Sequence, residues 1–244
     1  TDGNGAFGSL VAIGSTLYGM TNLGGSSDLG VIFKVGTDGS GFSLVHEFNS
    51  TDGAYPYAAL MVINTTLYGM TSNGGASDAG VVFSVESDGT AFSILHEFNG
   101  TDGAHSRGTL LAVGSVLYGT VNEGGANGVG SLFKMNSDGT GFSLIHEFNT
   151  SDGAMPAESL LKMGSSLYGM TWYGGASNKG VIFKIDTDGT AFSLLHEFSA
   201  SNGRLPQGHF ISIGSTLYGM AVGGGAADIG TIFSIASDGS GFTL

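Results

Sequence analysis

The sequence predicts an all-β fold, a five-bladed β-propeller with four antiparallel strands per blade. Three observations carry this expectation. The chain aligns with itself without a gap at a period of fifty residues, cut at positions 1, 51, 101, 151 and 201. Each unit holds four short runs rich in Val, Ile, Phe, Tyr and Thr, punctuated by Gly, Asn and Asp, and none with a capped helical period. Several runs, such as "LMVI" at 60–63, are apolar on both sides, as strands packed between neighbouring sheets must be. The expected blades are 1–50, 51–100, 101–150, 151–200 and 201–244, in one domain spanning 1–244.

The elements follow in order within each unit. The first strand is "SLVAI" at 9–13 and the second "TLYGMTN" at 16–22. They meet at Gly14, Asn64, Gly114, Gly164 and Gly214, residues that tolerate a left-handed backbone. The third strand is "GVIFKV" at 30–35 and the fourth "GFSLVHEF" at 41–48, joined through Asp38-Gly39 and its copies, the chemistry of a tight hairpin. Two longer connections complete the unit, "LGGSSDL" at 23–29 and "NSTDGAYPYA" at 49–58. Strands that alternate up and down put both tight hairpins on one face of the disc and both long loops on the other.

Positions of the first repeat and their counterparts fifty residues on are called columns below. Leu17, Tyr18, Gly19, Gly24, Gly25, Gly30, Phe33, Asp38, Gly39 and Phe42 recur in all five copies. Six glycine columns supply 30 of the 45 glycines, and the Asp38, Asp2 and Glu47 columns supply 13 of the 20 acidic residues. The net charge of −13 is therefore a property of the repeat. With seven Lys and Arg in all, it excludes nucleic acid and anionic membrane as partners. No apolar run is long enough to cross a bilayer. Cysteine is absent, which removes disulfides, thiolate metal sites and thiol nucleophiles.

The joint pattern "LYGMTNLGG", "GVIFKV" and "DGSGFSLVHEF" resembles the GloVer tandem repeats of predicted secreted, surface-anchored bacterial proteins. The resemblance covers all five units and implies an extracellular or cell-surface setting. It brings no catalytic residues with it. The aromatic strand running into Gly-Gly is also similar to a kelch blade, although the kelch Trp is missing. Five blades of this length are similar in architecture to the tachylectin-type sugar-binding propeller.

The copies differ most on the long-loop side. Columns 5–8 read "GAFG", "YPYA", "HSRG", "MPAE" and "LPQG"; columns 22–23 read "NL", "SN", "NE", "WY" and "VG". Candidate binding residues there are Trp172, Tyr173, Tyr55, Tyr57, His105, Arg107, Asn22, Asn122 and Glu123. Aromatic rings beside small polar groups suit sugars, whose C–H faces stack while their hydroxyls need donors and acceptors. The same aromatics could equally pack on neighbouring loops. The five-fold columns read as scaffold: Tyr18 packed between sheets, and Gly19 allowing close approach of neighbouring backbone.

The sequence implies no metal site and no cofactor. His46-Glu47, His96-Glu97, His146-Glu147 and His196-Glu197 are adjacent on a strand, so each pair diverges. His should be a hydrogen-bonded, half-buried residue on the face of Phe42, Leu44 and Phe48. Asp2, Asp52, Asp102 and Asp152 should close Asx-type turns, one carboxylate per loop being too few for calcium. Asn49, Asn64, Asn99 and Asn149 begin Asn-x-Ser/Thr sequons, relevant only in a eukaryotic secreted protein.

Catalysis is not expected. Glycosidases need two facing carboxylates, whereas the first strands offer Ala12, Val62, Ala112, Lys162 and Ser212 in one column and Glu158 alone nearby. The expected function is non-catalytic, lectin-like binding of carbohydrate or cell-surface glycan, through the long-loop face or pockets between blades. The alternative is a structural or adhesive surface protein making protein contacts. The last repeat ends at "GFTL", so its outer strand should be short. Residues 1–8 are not expected to supply that strand. Closure should then rest on packing of the first blade against the last, with the open edge of blade five a self-association site.

Overall fold

The computed structural model describes residues 2–156 and 159–244. Among them are nineteen strands and no helix, in five antiparallel sheets that follow the repeats. The first four sheets have four strands each in chain order; the fifth has three. In blade one the strands are Val11–Ile13, Thr16–Thr21, Val31–Gly36 and Ser43–Glu47. The first strand is shorter than expected, except in blade five, where Arg204–Ile213 extends it.

Turn chemistry sets the register. Ile13 pairs with Thr16, which leaves two turn residues with φ +59° at Gly14; Asn64 takes the same place at φ +57°. The Asp38-Gly39 hairpin is tight, as its residues predict. Gly39 donates its N–H to the Gly36 carbonyl and Gly36 to the Ser40 carbonyl, both at 2.8 Å. Only Gly39 in that turn has positive φ, at +82°. This is a three-residue loop whose glycine makes the bulge. Asp38 Oδ1 accepts from the Ser40 N–H and hydroxyl and fixes the loop.

A second bulge was invisible in the sequence. Ile32 pairs with His46 but Phe33 pairs with Leu44, so Val45 is an extra residue in the fourth strand. The same shift recurs in blades two, three and four. It moves His46 and Phe48 to the face of Ile32, opposite Phe42 and Leu44. The expectation that all four share a face is thus corrected: an inserted residue flips every side chain beyond it.

Four hydrophobic clusters form the core, one at each blade-to-blade contact. The leading blade contributes columns 18, 20, 32 and 48, as in Tyr18, Met20, Ile32 and Phe48. The following blade contributes columns 10, 17, 33 and 35, as in Leu60, Leu67, Phe83 and Val85. The Tyr18 column is packed between sheets as expected. Tyr118 and Tyr168 donate from their hydroxyls to the Thr187 and Ser237 carbonyls of the next blade. The Gly19 column makes room not for backbone but for the phenyl ring opposite it. A Cβ on Gly119 would lie 2.5 Å from Phe133 Cζ.

The last fourth strand is reduced to one bridge between Ser234 and Thr243. Asn4 pairs with Leu23 of its own repeat, so the first residues do not complete blade five. The expected packing of blade one on blade five is not made. Met220 and Ile232 of blade five are 56% and 72% exposed, and Leu10 of blade one is 50% exposed. Four near-identical contacts repeat one rotation, and four such steps do not return blade five to blade one. No helix of the described residues is long and apolar enough to cross a membrane.

Candidate functional site

The site is built by columns 5, 7, 22 and 23. Column 5 lies in the linker that enters each blade, and it takes positive φ even where it is not glycine: Tyr55, His105, Met155 and Leu205 all lie at +53° to +56°. The conformation turns its N–H toward the preceding blade, where it donates to the column-29 carbonyl. Its own carbonyl accepts from column 22, as Tyr55 does from the Ser72 N–H and Met155 from the Trp172 N–H. In blades one, two and four these bonds hold columns 5 and 22 side by side.

Column 7 then forms a rail that steps from blade to blade. Phe7 lies 5.5 Å from Tyr57 between ring centroids. The Arg107 guanidinium sits 5.1 Å from the Tyr57 centroid and 5.9 Å from that of Trp172, within cation–π reach of both. Beside this rail is a pocket of about 270 Å³ lined by Tyr57, His105, Arg107, Asn122 and Glu123. Ser72, Asn73 and Met155 complete its wall. Among the described residues Arg107 forms no ion pair, although Glu123 lines the same pocket.

Asn122 is the most informative member. It is 2% exposed, yet neither its Oδ1 nor its Nδ2 has a partner among the described residues. A buried amide without partners costs about 1–3 kcal/mol. Trp172 Nε1 is also buried without a partner. His105 is held by a bond from Nδ1 to the Ser72 carbonyl at 3.0 Å.

Five of the nine candidate residues therefore converge on one pocket, and Trp172 joins through Arg107. The other three stand elsewhere. Asn22 is buried under Gly5, and its Oδ1 has no partner. Tyr55 acts through its backbone, and Tyr173 is 38% exposed with its backbone paired to Ala154. Ser72, Asn73 and Met155 lie in the same variable columns, but nothing in their side-chain chemistry marks them as binding residues in the sequence. Glu158 lies outside the described residues.

The repeated His, Asp, Asn and Glu serve the frame. His96 Nε2 is 3.0 Å from Asp102 Oδ2; His46 and His146 lie 3.2 and 3.3 Å from Asp52 and Asp152. Each ring stacks on the column-42 Phe of the next blade, His96 on Phe142 at 3.6 Å. Glu47 turns the other way and accepts from the Ser26 N–H. The Asx turn is made by Asn49, whose Oδ1 accepts from the Thr51 N–H, while Asp52 accepts from Asn49 N and Nδ2. Asn99 and Asn149 repeat this, so three of the four sequon amides are engaged in turns; Asn64 is exposed in its hairpin. Among the described residues no group of His, Asp and Glu could hold a metal ion.

Burial outweighs the neighbouring carboxylates and holds His46, His96 and His146 below the ordinary value of 6.5; burial lowers His196 too, against Asn202 and Glu197. The unfolded chain then takes up protons first. Stability should be complete above about pH 6.5 and should fall as pH drops from there through the lowered folded values. The Asp38-type carboxylates, lowered by their Ser or Thr bonds, act in the same direction only below their ordinary 3.8. A lower Tm at pH 5 than at pH 7.5, with roughly a quarter of the loss removed by His96→Gln, is the expected result.

An all-β chain of stacked four-stranded sheets with individual loops on one face is a propeller-type repeat protein. The chain belongs to the Gloeobacter/Verrucomicrobia repeat family, whose model matches residues 1–167 and 106–244. Its fold is similar to a chain in a nidogen/laminin complex, at TM-score 0.63 and 14% identity, over 98% of this chain and 78% of that one. It is similar to an oligogalacturonate lyase from Vibrio parahaemolyticus at TM-score 0.62 and 13% identity, over 94% and 65%. TolB from Acinetobacter baumannii gives TM-score 0.57 and 10% identity over 92% of this chain and 50% of TolB. The chain thus spans about half the length of that TolB. These likenesses show the fold alone. No curated protein matches the sequence significantly.

Proposed function

We propose that the protein is a non-catalytic, extracellular binding propeller that takes carbohydrate at the Tyr57–Arg107–Asn122 pocket. The observation that carries this reading is Asn122, a buried amide that lines a pocket and has no hydrogen-bond partner among the described residues. Sugar hydroxyls supply both the donor and the acceptor that this amide lacks, and the Tyr57 ring in the pocket wall supplies an apolar face. Glu123 is the one carboxylate among the described residues of the pocket, and one carboxylate does not make a hydrolytic pair.

A glycan array tests the reading. Saturable binding is expected, weakened about tenfold or more by Arg107→Ala, because the guanidinium bridges the two rings. Failure of the wild type to bind any glycan at high protein concentration would sink the proposal.

A further inference from the structure

The contact between blades is a set of complementary parts that recurs four times, with Thr120 in place of Met in column 20 at one of them. Apolar columns 18, 20 and 32 of one blade meet columns 10, 17 and 33 of the next. Across each contact the column-5 N–H donates to the column-29 carbonyl: Tyr55 to Leu29, His105 to Ala79, Met155 to Val129 and Leu205 to Lys179, at 2.8–3.0 Å. Both halves of this contact are exposed on the outer faces of blades one and five. The far face of blade five carries Met220 and Ile232 bare, where Met20 and Ile32 are 4% and 0% exposed. Ile229 there is bare as well, and its carbonyl has no column-5 donor. The near face of blade one carries Leu10 bare, and the Gly5 N–H makes no column-29 bond.

The two exposed faces match each other in their apolar columns and in hydrogen-bond sense. We propose that blade five of one copy receives blade one of a second copy, continuing the internal contact between molecules in a head-to-tail arrangement. The occupant follows from continuity: four covalently linked examples of the same contact exist in this chain, and every copy carries both halves. Unlike the four contacts inside the chain, this one joins two molecules, so it depends on concentration.

Sedimentation velocity on the 244-residue protein tests this between about 1 and 200 µM. The wild type should shift to larger species as concentration rises. Leu10→Asp, and separately Met220→Asp with Ile232→Asp, should each remain monomeric, with Tm unchanged because the substituted residues are exposed in the monomer. An equimolar mixture of the two variants should give a discrete dimer, since one intact half remains on each. A wild type that stays monomeric at 200 µM would overturn the proposal and leave the faces to another repeat or partner. So would assembly that survives both variants, which would place it at the open strand edge of blade five, or a mixture that fails to pair.

Discussion

Phe133→Ala is expected to lower the unfolding free energy by about 3–5 kcal/mol, as large-to-small changes at fully buried aromatic positions do. Phe133 is wholly buried. It lies edge-on to Phe98 at 5.5 Å, across the blade contact, and stacks on Phe142 at 5.4 Å. Its ring also covers Gly119, which has no side chain to close the gap. The repeat supplies an internal control. Phe33 is the same residue in the same strand, but blade one has no preceding blade and Phe33 is only half-buried. Phe33→Ala should cost less than half as much, because much of its ring already meets water. Equal losses for the two variants in denaturant titrations would show that the packing between blades is not what stabilises this column.

Gly103→Ala is the second substitution with a large expected effect, about 3 kcal/mol or more. Gly103 has φ +134°, a region that side-chain-bearing residues rarely adopt, and a Cβ there would fall on Val121 Cγ2, well inside contact distance. Backbone strain and overpacking add at this position. Gly114→Ala separates the two causes. It also has positive φ, at +63°, but a Cβ there meets nothing within 4 Å. Its cost should be about 1 kcal/mol. A Gly103→Ala protein as stable as Gly114→Ala would refute the close fit between the inter-repeat linker and the second strand.

Much of this fold was legible because it is local. The fifty-residue period, the Gly14 and Asp38-Gly39 turns and the strand content are written in consecutive residues, and each works within its own blade. Two things were not legible, for physical reasons. The bulge at Val45 adds a residue without changing composition, so nothing in "GFSLVHEF" marks where the side chains flip. The failure of blade five to meet blade one depends on a rotation accumulated over four contacts, which no short stretch encodes. At the site, variation between copies pointed to the right columns, 5, 7, 22 and 23. It could not tell that Asn122 lines a pocket with both amide atoms unpartnered, while Asn22, in the same column, lies under Gly5 with its Oδ1 alone unpartnered. That difference arises from the linker of each blade, a contact made some seventeen residues away in sequence.

The binding claim is tested most directly by titrating the protein and its Asn122→Leu variant with a bound glycan, read by the fluorescence of Trp172, the only tryptophan. The wild type should show a saturable change, since Arg107 links the pocket to the Trp172 ring. Asn122→Leu removes a buried amide that has no partner, so it should fold with equal or greater stability and bind at least about tenfold more weakly. A variant that binds as tightly as the wild type, or wild-type saturation without any change at Trp172, would contradict the account.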